Sequence, residues 1–511
     1  MKYRTSRSRV RDSQPIQQPG NSWVKASSGN PGQVDTLARS EEGEVKVGQR
    51  GGRVQRRRRG SWLRARRISV PSAFSRLGPR VGWLLLIALA LTVLEGALRK
   101  WVGVFGEGIW KYVAYFSKDI VFAALLFLPT SDVSSSGFGI FRRWLFFGCV
   151  LLLTGASISA MEAFNPVGAA LTLRAAVVLP VIAFLVIRRL KGLSLRSVAW
   201  LLCVLTVVNL ALAVVQNRLP AEHMLNKYAT DTEKIVALES GVRATGTFSY
   251  ITGLGVLSSV GIWAGMALLG LAGNNWQRFG GWAAMVAGFG CGLASVSRGP
   301  VVIAAVAVLL WIVFSRASIS VVARSIVAGM LLVGLLIVFD ILPIFSELGR
   351  GLRERHEEAA DTFQERAFGQ FEEGYAALKV APLGMGLGTE QVAGNFYATG
   401  VMSFTNFETQ LPRLVMETGA LGLAGFLVIC AGAILALQAA KREANSAGER
   451  AMFLATQLLL LPMFYTNIVF NHTASAFAWM IFAGVVGAKG SAGERAGSSG
   501  HNRKGPGSER R

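Results

Sequence analysis

Between residues 81 and 488 the sequence consists largely of apolar runs, most of them about as long as a helix that crosses a bilayer. A bilayer core of about 30 Å requires roughly 20 apolar residues in a helix. Because a backbone inside the bilayer must satisfy its own hydrogen bonds, such runs predict α-helices. The candidate spans are 81–98, 112–130, 144–162, 168–187, 197–216, 247–270, 280–296, 299–315, 322–343, 411–437, 451–470 and 474–488. The sequence therefore predicts an all-α polytopic membrane protein with about twelve transmembrane helices.

Charge is concentrated at the two ends of the chain. Only 16% of the 511 residues are charged, whereas about 25% is usual in soluble proteins. Residues 1–80 contain 19 Lys and Arg against 5 Asp and Glu, and residues 489–511 contain 6 against 2. We therefore expect two basic tails, 1–79 and 489–511, around a membrane-embedded body. The first tail is low in apolar residues, which predicts disorder, and no cleavable signal peptide is expected before the first apolar run.

The arginine run Arg56–Arg59, followed by Arg64, Arg66 and Arg67, has two interpretations. Such a run is found in nucleic-acid-binding segments. It also suits a juxtamembrane segment that fixes orientation and contacts anionic lipid. The run lies just before the first span, which favours the bilayer as its partner and predicts no nucleic acid.

Orientation follows from the basic residues in the short loops. With a cytoplasmic amino terminus, most loop Lys and Arg fall on the cytoplasmic side, as the positive-inside rule requires. The exception is "RKW" at Arg99–Trp101. Both termini are then cytoplasmic, spans one to nine lie in 80–340, and spans ten to twelve lie in 411–488. Residues 341–410 form a large extracytoplasmic loop.

Five ionisable residues are predicted within or at the edge of spans, namely Glu95, Lys118, Asp119, Glu162 and Arg174. Such residues are costly in a bilayer and usually face a cavity or a partner. All five fall toward the outer side, which predicts a polar chamber opening outward. The alternative is mutual neutralisation, Lys118 with Asp119, and Arg174 with Glu162 or Asp119.

Three arginines lie near the same outer level, Arg243, Arg298 in "SVSRGP", and Arg366 in the large loop. The arginine fork binds phosphate oxygens and keeps its charge in any environment, although each could instead be solvated. The nearby "APLGMGLGTE" (381–390) lacks the lysine of a phosphate-binding loop. Its glycines predict a tight turn packed against the membrane helices.

No pair of histidines or cysteines has the spacing of a metal site. The cysteines, Cys149, Cys203, Cys291 and Cys430, each stand alone in an apolar run, so we expect small core residues. The sequence carries no specific signal for a nucleotide, haem or metal cofactor.

Four stretches, in this order, resemble motifs of the O-antigen ligase and O-antigen polymerase superfamily of bacterial cell envelopes. They are "RATGTFSYITGLG" (243–255), "SVSRGP" (295–300), "ERAFGQFEEGYAALKVAPLGMGLGTE" (365–390) and "LVMETGALGLAGF" (414–426). In addition, "LEGALRKW" (94–101) and "FSKD" (116–119) resemble a polymerase-like subgroup. The resemblance covers roughly residues 81–488, excluding the basic tails.

The resemblance implies glycosyl transfer at the outer face of the bacterial inner membrane. A glycan on an undecaprenyl-pyrophosphate carrier would pass to a hydroxyl of an acceptor glycan or glycolipid, with no metal required. A chain-length regulator and a flippase are candidate protein partners.

Family members carry a His-Asn pair shortly before the glutamate of "ETG", which is Glu417 here. The histidine position holds Glu408. A partly buried carboxyl group can serve as a general base, so Glu408 is the candidate base. Its alternative role is a salt bridge with Arg413 or a charge at a helix N-terminus. His356 and His472 could also replace the family histidine in space.

The family mechanism also requires cations that stabilise the leaving pyrophosphate. Arg298 and Arg366 are the candidate catalytic cations, and Arg243, Arg174 and Arg413 are candidate pyrophosphate ligands. Glu417 itself is expected to be a structural hydrogen-bonding partner.

A polymerase is the leading functional hypothesis. Within the same class, the protein could instead ligate glycan to a lipid A core. A secondary transporter or flippase would also explain many spans with buried charges, although transporters favour repeated halves and midplane sites. A non-catalytic assembly protein is the remaining alternative.

Overall fold

The structure is a computed structural model that describes residues 78–102, 108–128, 136–190, 193–228, 237–238, 241–315, 369, 371–390, 409–466 and 468–499. Its helices are α1 (Gly78–Trp101), α2 (Gly108–Ala124), α3 (Ser136–Ala160), α4 (Pro166–Leu173), α5 (Leu179–Ile187), α6 (Leu195–Arg218), α7 (Ile251–Gly270), α8 (Asn275–Ala294), α9 (Arg298–Phe314), α10 (Gln410–Arg442), α11 (Ala447–Thr466) and α12 (His472–Ser499). A further helical segment covers 371–380. Two short strands, β1 (Ala237–Leu238) and β2 (Gly241–Val242), pair antiparallel.

Six helical stretches in the described part are long and apolar enough to cross a bilayer. They are Gly82–Trp101, Ser136–Ala160, Pro166–Ile187, Leu195–Arg218, Ile251–Gly270 and Gln410–Arg442. The protein is therefore a helical membrane protein. Helices overlap the predicted apolar runs throughout the described part, and the ninth run, 322–343, lies outside it. The break predicted at "SRGP" is present, because α8 ends at Ala294 and α9 begins at Arg298.

Consecutive helices bring their connections to two opposite ends of the bundle. At one end, the network end, the end of α1 meets the chain before α7, and the start of α10 meets the end of α11. Lys100 Nζ donates to Thr245 Oγ1 at 2.9 Å, and Gln410 Nε2 donates to Phe464 O at 2.8 Å. The other end, the basic end, contains the connections between α5 and α6, α7 and α8, and α10 and α11. The cations whose side chains the structure describes there are Arg142, Arg143, Arg188, Arg189, Arg196, Arg278, Lys441, Arg442 and Arg450.

The core contains tryptophans whose indole N–H groups are hydrogen-bonded between helices. Trp263 Nε1 donates to Thr456 Oγ1 at 3.0 Å, and Trp311 Nε1 donates to Ala451 O at 2.9 Å. Both rings are almost fully buried. These bonds matter because a buried indole N–H without an acceptor is costly. Three of the cysteines are buried free thiols, Cys203, Cys291 and Cys430, as their apolar surroundings predicted.

Helices α3 and α10 pack closely along a glycine seam formed by Gly148, Gly155 and Gly425. A Cβ atom on Gly155 would lie 2.4 Å from Thr418 O, and one on Gly425 would lie 2.5 Å from Gly148 O. Both distances are shorter than van der Waals contact with backbone. In a bilayer, where lipid is as apolar as leucine, close backbone approach through small residues is a main source of helix association. The seam therefore sets the position of α10 and of the residues at its start.

Candidate functional site

The centre of the candidate site is Glu95, a carboxylate near the end of α1 with 3% of its side chain exposed. Its Oε1 accepts a hydrogen bond from Arg99 Nη1 at 3.2 Å, and its Oε2 accepts one from Lys118 Nζ at 2.7 Å. Arg99 lies one helical turn after Glu95, so both side chains share a face of α1. Because an ionisable group is costly in a membrane unless it is paired, these two cations permit the burial of Glu95.

Tyr115 and His472 complete the surroundings of this ion pair. Lys118 Nζ also donates to Tyr115 O at 2.6 Å and lies 4.8 Å from the centre of the Tyr115 ring. The ring of His472, at the start of α12, is 4.5 Å from that of Tyr115. His472 Nε2 lies 3.6 Å from Glu95 Oε2, and 27% of its side chain is exposed. A partly exposed imidazole held against a carboxylate can accept a proton from a bound hydroxyl group.

A second ion pair joins α2 to the turn after α4. Arg174 Nε and Nη2 donate to Asp119 Oδ2 and Oδ1 at 3.0 and 2.7 Å, a bidentate geometry that fixes both side chains. Arg174 begins a π-helical turn in which Leu179 N donates to Arg174 O. Pro180 explains this turn, because it has no N–H and its ring would press on the carbonyl four residues earlier. π turns inside helices are frequent at functional sites.

The end of α1 is also fastened to the chain before α7. Lys100 Nζ donates to Thr245 Oγ1 at 2.9 Å and to Gly246 O at 2.8 Å, and it lies 4.8 Å from the Trp101 ring. The sequence "RKW" is thus part of the network end. This accounts for the exception to the positive-inside pattern, because Arg99 and Lys100 are held by protein partners rather than placed in a free loop.

Arg243 holds the connection between α8 and α9. Its Nε donates to Ser295 O at 3.2 Å and its Nη2 to Ser297 Oγ at 3.3 Å. Between these serines, Val296 has a φ of 51°, which is a strained conformation for a β-branched residue. The strained turn leads directly into Arg298, the first residue of α9. Arg243 therefore fixes the start of α9 at the network end.

Helix α10 is broken at Gly419, where φ is 67° and ψ is −171°. The backbone groups around the break are satisfied by the glycine-rich turn over 381–390. Ala420 N donates to Pro382 O at 2.8 Å, and Met385 N donates to Met416 O at 2.7 Å. Non-helical backbone at membrane depth is tolerated only where protein covers it, and this turn supplies the cover.

The same turn is packed against the start of α4, as its glycine content predicted. Gly388 has a φ of 83°, and a Cβ atom on Gly168 would lie 2.0 Å from Gly388 O. Leu387 N donates to Ala163 O, and Asn165 N donates to Leu387 O, both at 3.0 Å. The turn therefore fixes α4 relative to the first part of α10.

Glu417, in the "ETG" motif, is fully buried between these elements. Its Oε2 accepts a hydrogen bond from Thr172 Oγ1, and its Oε1 accepts one from Glu390 N at 3.1 Å. Glu417 thus has the structural role expected from the sequence. Burial raises the pKa of the neighbouring Glu390, and the positive charge of Arg413 acts in the opposite direction. The Arg413 guanidinium lies 5.5 Å from the Phe470 ring, two residues before His472.

Six ionisable side chains at the network end form what we term the charged cluster: Glu95, Arg99, Lys118, Asp119, Arg174 and His472. Three members are cationic and two are carboxylates, with the imidazole in addition. The charged cluster therefore has a formal excess of one positive charge, which favours an anionic ligand. Lys100 lies at the same end of the bundle, where Thr245 and Gly246 hold it.

The structure corrects two details of the charges predicted inside spans. Glu162 does not lie in a span, because α3 ends at Ala160 and Glu162 is exposed in the following turn. Lys118 is paired with Glu95 rather than with its neighbour Asp119, since adjacent residues on a helix do not face each other. Of the two partners considered for Arg174, the structure selects Asp119.

For three of the predicted site residues the structure describes no side chain. Glu408 and Arg366 lie outside the described residues, and Arg298 is described only by its backbone. Their roles as general base and catalytic cations stay predictions.

The other three predicted site residues, Arg174, Arg243 and Arg413, lie at the network end, and each has a protein partner. Of these, Arg174 belongs to the charged cluster. Sequence reasoning did not assign Arg99, Lys100 or Tyr115 to the site. Arg99 could have been found from its spacing of four residues from Glu95, because residues four apart on a helix lie on the same face.

No protein-family model matches the chain, and no curated protein matches it. The resemblance to the O-antigen ligase and polymerase superfamily therefore rests on the sequence motifs alone.

Proposed function

We propose that the protein is an inner-membrane polymerase of a surface polysaccharide. It would transfer a glycan from an undecaprenyl-pyrophosphate carrier to an acceptor hydroxyl at the outer face of the membrane. The supporting observation is the formal excess of one positive charge in the charged cluster, with Lys100 as a further cation at the same end of the bundle. Unbalanced buried charge is unfavourable, and a bound pyrophosphate would balance it.

The reaction makes two demands on the site. A bond forms between the acceptor oxygen and the anomeric carbon of the glycan, and the bond from that carbon to the carrier phosphate breaks. The acceptor hydroxyl loses its proton to a base, and the leaving pyrophosphate gains negative charge. Cations that are fixed in advance stabilise such charge without reorganisation. Lys100 and Arg174, held on separate elements, would supply them together with the predicted Arg298 and Arg366.

Two groups are candidates for the base. Glu408 is the sequence prediction. His472 is the candidate whose surroundings are described, and its Nε2 lies 3.6 Å from Glu95 Oε2. A carboxylate in this position orients an imidazole and stabilises its protonated form.

We further propose that the chain crosses the membrane about twelve times, with the large loop 341–410 on the outer side and both termini in the cytoplasm. The nine Lys and Arg side chains that the structure describes at the basic end support it, because they lie in or beside short connections. Several cations of the network end, such as Arg99, Lys100 and Arg243, are instead held by protein partners. By the positive-inside rule, the basic end faces the cytoplasm and the network end faces outward.

The orientation predicts which tags are accessible in intact cells. An epitope inserted within 341–410 should be labelled by a membrane-impermeant reagent, whereas tags at either terminus should be labelled only after permeabilisation. A protected tag in 341–410 together with exposed termini would reverse the orientation.

Replacement of Lys100 tests the function. In native host cells that lack the chromosomal copy, Lys100→Gln should cause single carrier-linked repeat units to accumulate and the polymer to shorten. The loss of one charge contact to a phosphate corresponds to about 1.5–3 kcal/mol, or roughly a tenfold to hundredfold lower rate. Lys379→Gln is the matched control, because Lys379 is an exposed lysine that lies against the Tyr375 ring and does not hold the chain before α7. Its polymer should match that of the unaltered chain.

The same assay separates the candidate bases. Glu408→Gln or His472→Gln should abolish polymer, according to which group accepts the proton, while carrier-linked units persist. Normal polymer in Lys100→Gln, or in both base variants, would contradict the polymerase proposal. Loss of glycan from the lipid A core with normal polymer length would instead indicate a ligase.

Transport is the second candidate, and the break in α10 favours it. Transporter sites are often formed by discontinuous helices, and α10 is discontinuous at Gly419. If carrier-linked units accumulate in Lys100→Gln cells on the cytoplasmic side alone, the protein moves its substrate rather than polymerising it.

A further inference from the structure

A second cationic site lies at the basic end, far along the helices from the charged cluster. It is a cavity of about 370 Å³ between the ends of α9 and α10 and the start of α11. Its lining residues are Phe314, Ser315, Lys441, Ala447, Arg450 and Leu454. The cavity is thus formed by the consecutive helices α10 and α11 together with α9, which lies far from them in the sequence.

Among the described lining residues there are two cations, Lys441 and Arg450, and no carboxylate. Arg450 Nη1 donates to Ala444 O at 3.4 Å, which holds the guanidinium near the end of α10. The two carboxylates nearest in sequence are engaged elsewhere. Glu449 Oε2 accepts from Asn445 N at 2.9 Å, and Glu443 accepts from Ser136 Oγ. The charge of the cavity therefore favours an anion.

Apart from Ser315, the other described lining residues are apolar, and Phe314 continues into an exposed apolar surface of α9. Phe314 is 60% exposed at the end of α9, and Leu309 and Val313 on the same helix are 59% and 62% exposed. An apolar helix surface that leads away from a cationic cavity suits a molecule with an anionic head and hydrocarbon chains. A free anion would contact Lys441 and Arg450 but would have no group to place on the apolar surface.

We propose that this cavity binds an anionic glycerophospholipid. Its phosphate lies between Lys441 and Arg450, and an acyl chain lies along Phe314 and Val313. Arginine and lysine both donate to phosphate oxygens, and basic pockets between membrane helices on the cytoplasmic side commonly hold anionic lipid headgroups. The proposal does not depend on the catalytic function of the network end.

The test measures lipid binding to the purified full chain in detergent. Dioleoyl phosphatidylglycerol is titrated while bound lipid is counted by native mass spectrometry, with dioleoyl phosphatidylcholine as the zwitterionic comparison. We expect at least one retained phosphatidylglycerol. Lys441→Gln/Arg450→Gln should weaken its binding by about tenfold or more, from the loss of two phosphate contacts. Arg278→Gln is the matched control, because it removes an exposed cation of the basic end outside this cavity.

Equal retention of phosphatidylglycerol by the double variant, or of phosphatidylcholine by the unaltered chain, would overturn the proposal. Displacement of the lipid by millimolar inorganic phosphate would instead assign the cavity to a soluble anion. If the double variant does not fold, a photoactivatable phosphatidylglycerol on the unaltered chain decides the question. Cross-links to peptides that contain Phe314 or Arg450 support the site, and cross-links confined to other helices exclude it.

Discussion

Lys118→Met should lower the free energy of unfolding by about 3–5 kcal/mol, the usual effect of breaking a buried ion pair. Lys118 has no exposed side-chain surface and lies 2.7 Å from Glu95 Oε2. Methionine has a similar length but cannot donate to that oxygen, so Glu95 would keep Arg99 as its closest cation. The change is measured as a fall in the thermal unfolding midpoint of the purified chain in detergent, followed by tryptophan fluorescence.

The double variant Glu95→Gln/Lys118→Met is the informative control. It removes the buried charge together with its partner, and it should recover part of the loss, because paired charges can often be replaced by uncharged residues at little cost. A single variant as stable as the unaltered chain would contradict the pairing. If the loss in the double variant equals the sum of the losses in the two single variants, Lys118 and Glu95 do not stabilise each other, and Arg99 is the main partner of Glu95.

Gly425→Leu should disrupt the packing of α3 against α10. A Cβ atom at this position would lie 2.5 Å from both Gly148 O and Leu152 N. These are backbone atoms, so the helices must separate. Overpacking in a closely packed interior typically costs about 1–3 kcal/mol, and more where backbone must move. We therefore expect a loss above about 3 kcal/mol, seen as aggregation or a broad elution profile in size-exclusion chromatography.

Gly139→Leu provides the matched control for the seam. It is also a glycine on α3, but a Cβ atom there would meet nothing within 4 Å. Leucine favours helix more than glycine does, so this variant should be as stable as the unaltered chain or slightly more so. If both variants behave alike, the seam does not determine the packing of α10. Gly155→Ala should give an intermediate loss.

Hydropathy was sufficient to predict helices, because a chain that crosses lipid must satisfy its own backbone hydrogen bonds. For the charges inside spans the sequence predicted an outward-opening polar chamber, with mutual neutralisation as the alternative; the structure shows that Lys118 and Arg174 are paired with carboxylates. The ends of helices were predicted less well. Glu162 was placed inside a span because the apolar run extends to it, yet α3 ends at Ala160.

Particular partners could not be predicted, since they depend on which helix faces come together. Lys118 and Glu95 are 23 residues apart and on different helices. Helix geometry argues against Asp119 as the partner of Lys118, but it does not identify Glu95 among the carboxylates of the other helices. His472 was one of two histidines, with His356, that the sequence offered as replacements for the family histidine. Its position against Glu95 follows from the packing of α12 beside α1, which single-sequence patterns do not report.

The break at Gly419 was also invisible in the sequence. The stretch "LVMETGALGLAGF" has an uninterrupted helical pattern, and glycine is common in membrane helices. The left-handed conformation becomes favourable only because Pro382 and Met385 provide backbone partners on either side. Predicting such a break therefore requires knowing where Pro382 and Met385 lie, more than 30 residues earlier in the chain.

The pairing of Lys118 with Glu95 has a consequence for how the chain enters the membrane during synthesis. A lysine at the centre of a helix costs about 2.5–3.5 kcal/mol on insertion, and α2 also carries Asp119. If α1 and α2 leave the translocon together as a hairpin, Lys118 meets its carboxylate at once. Asp119 has no access to its partner Arg174 until the chain has been synthesised through α4. The first four membrane segments would therefore be released into lipid as one unit rather than singly.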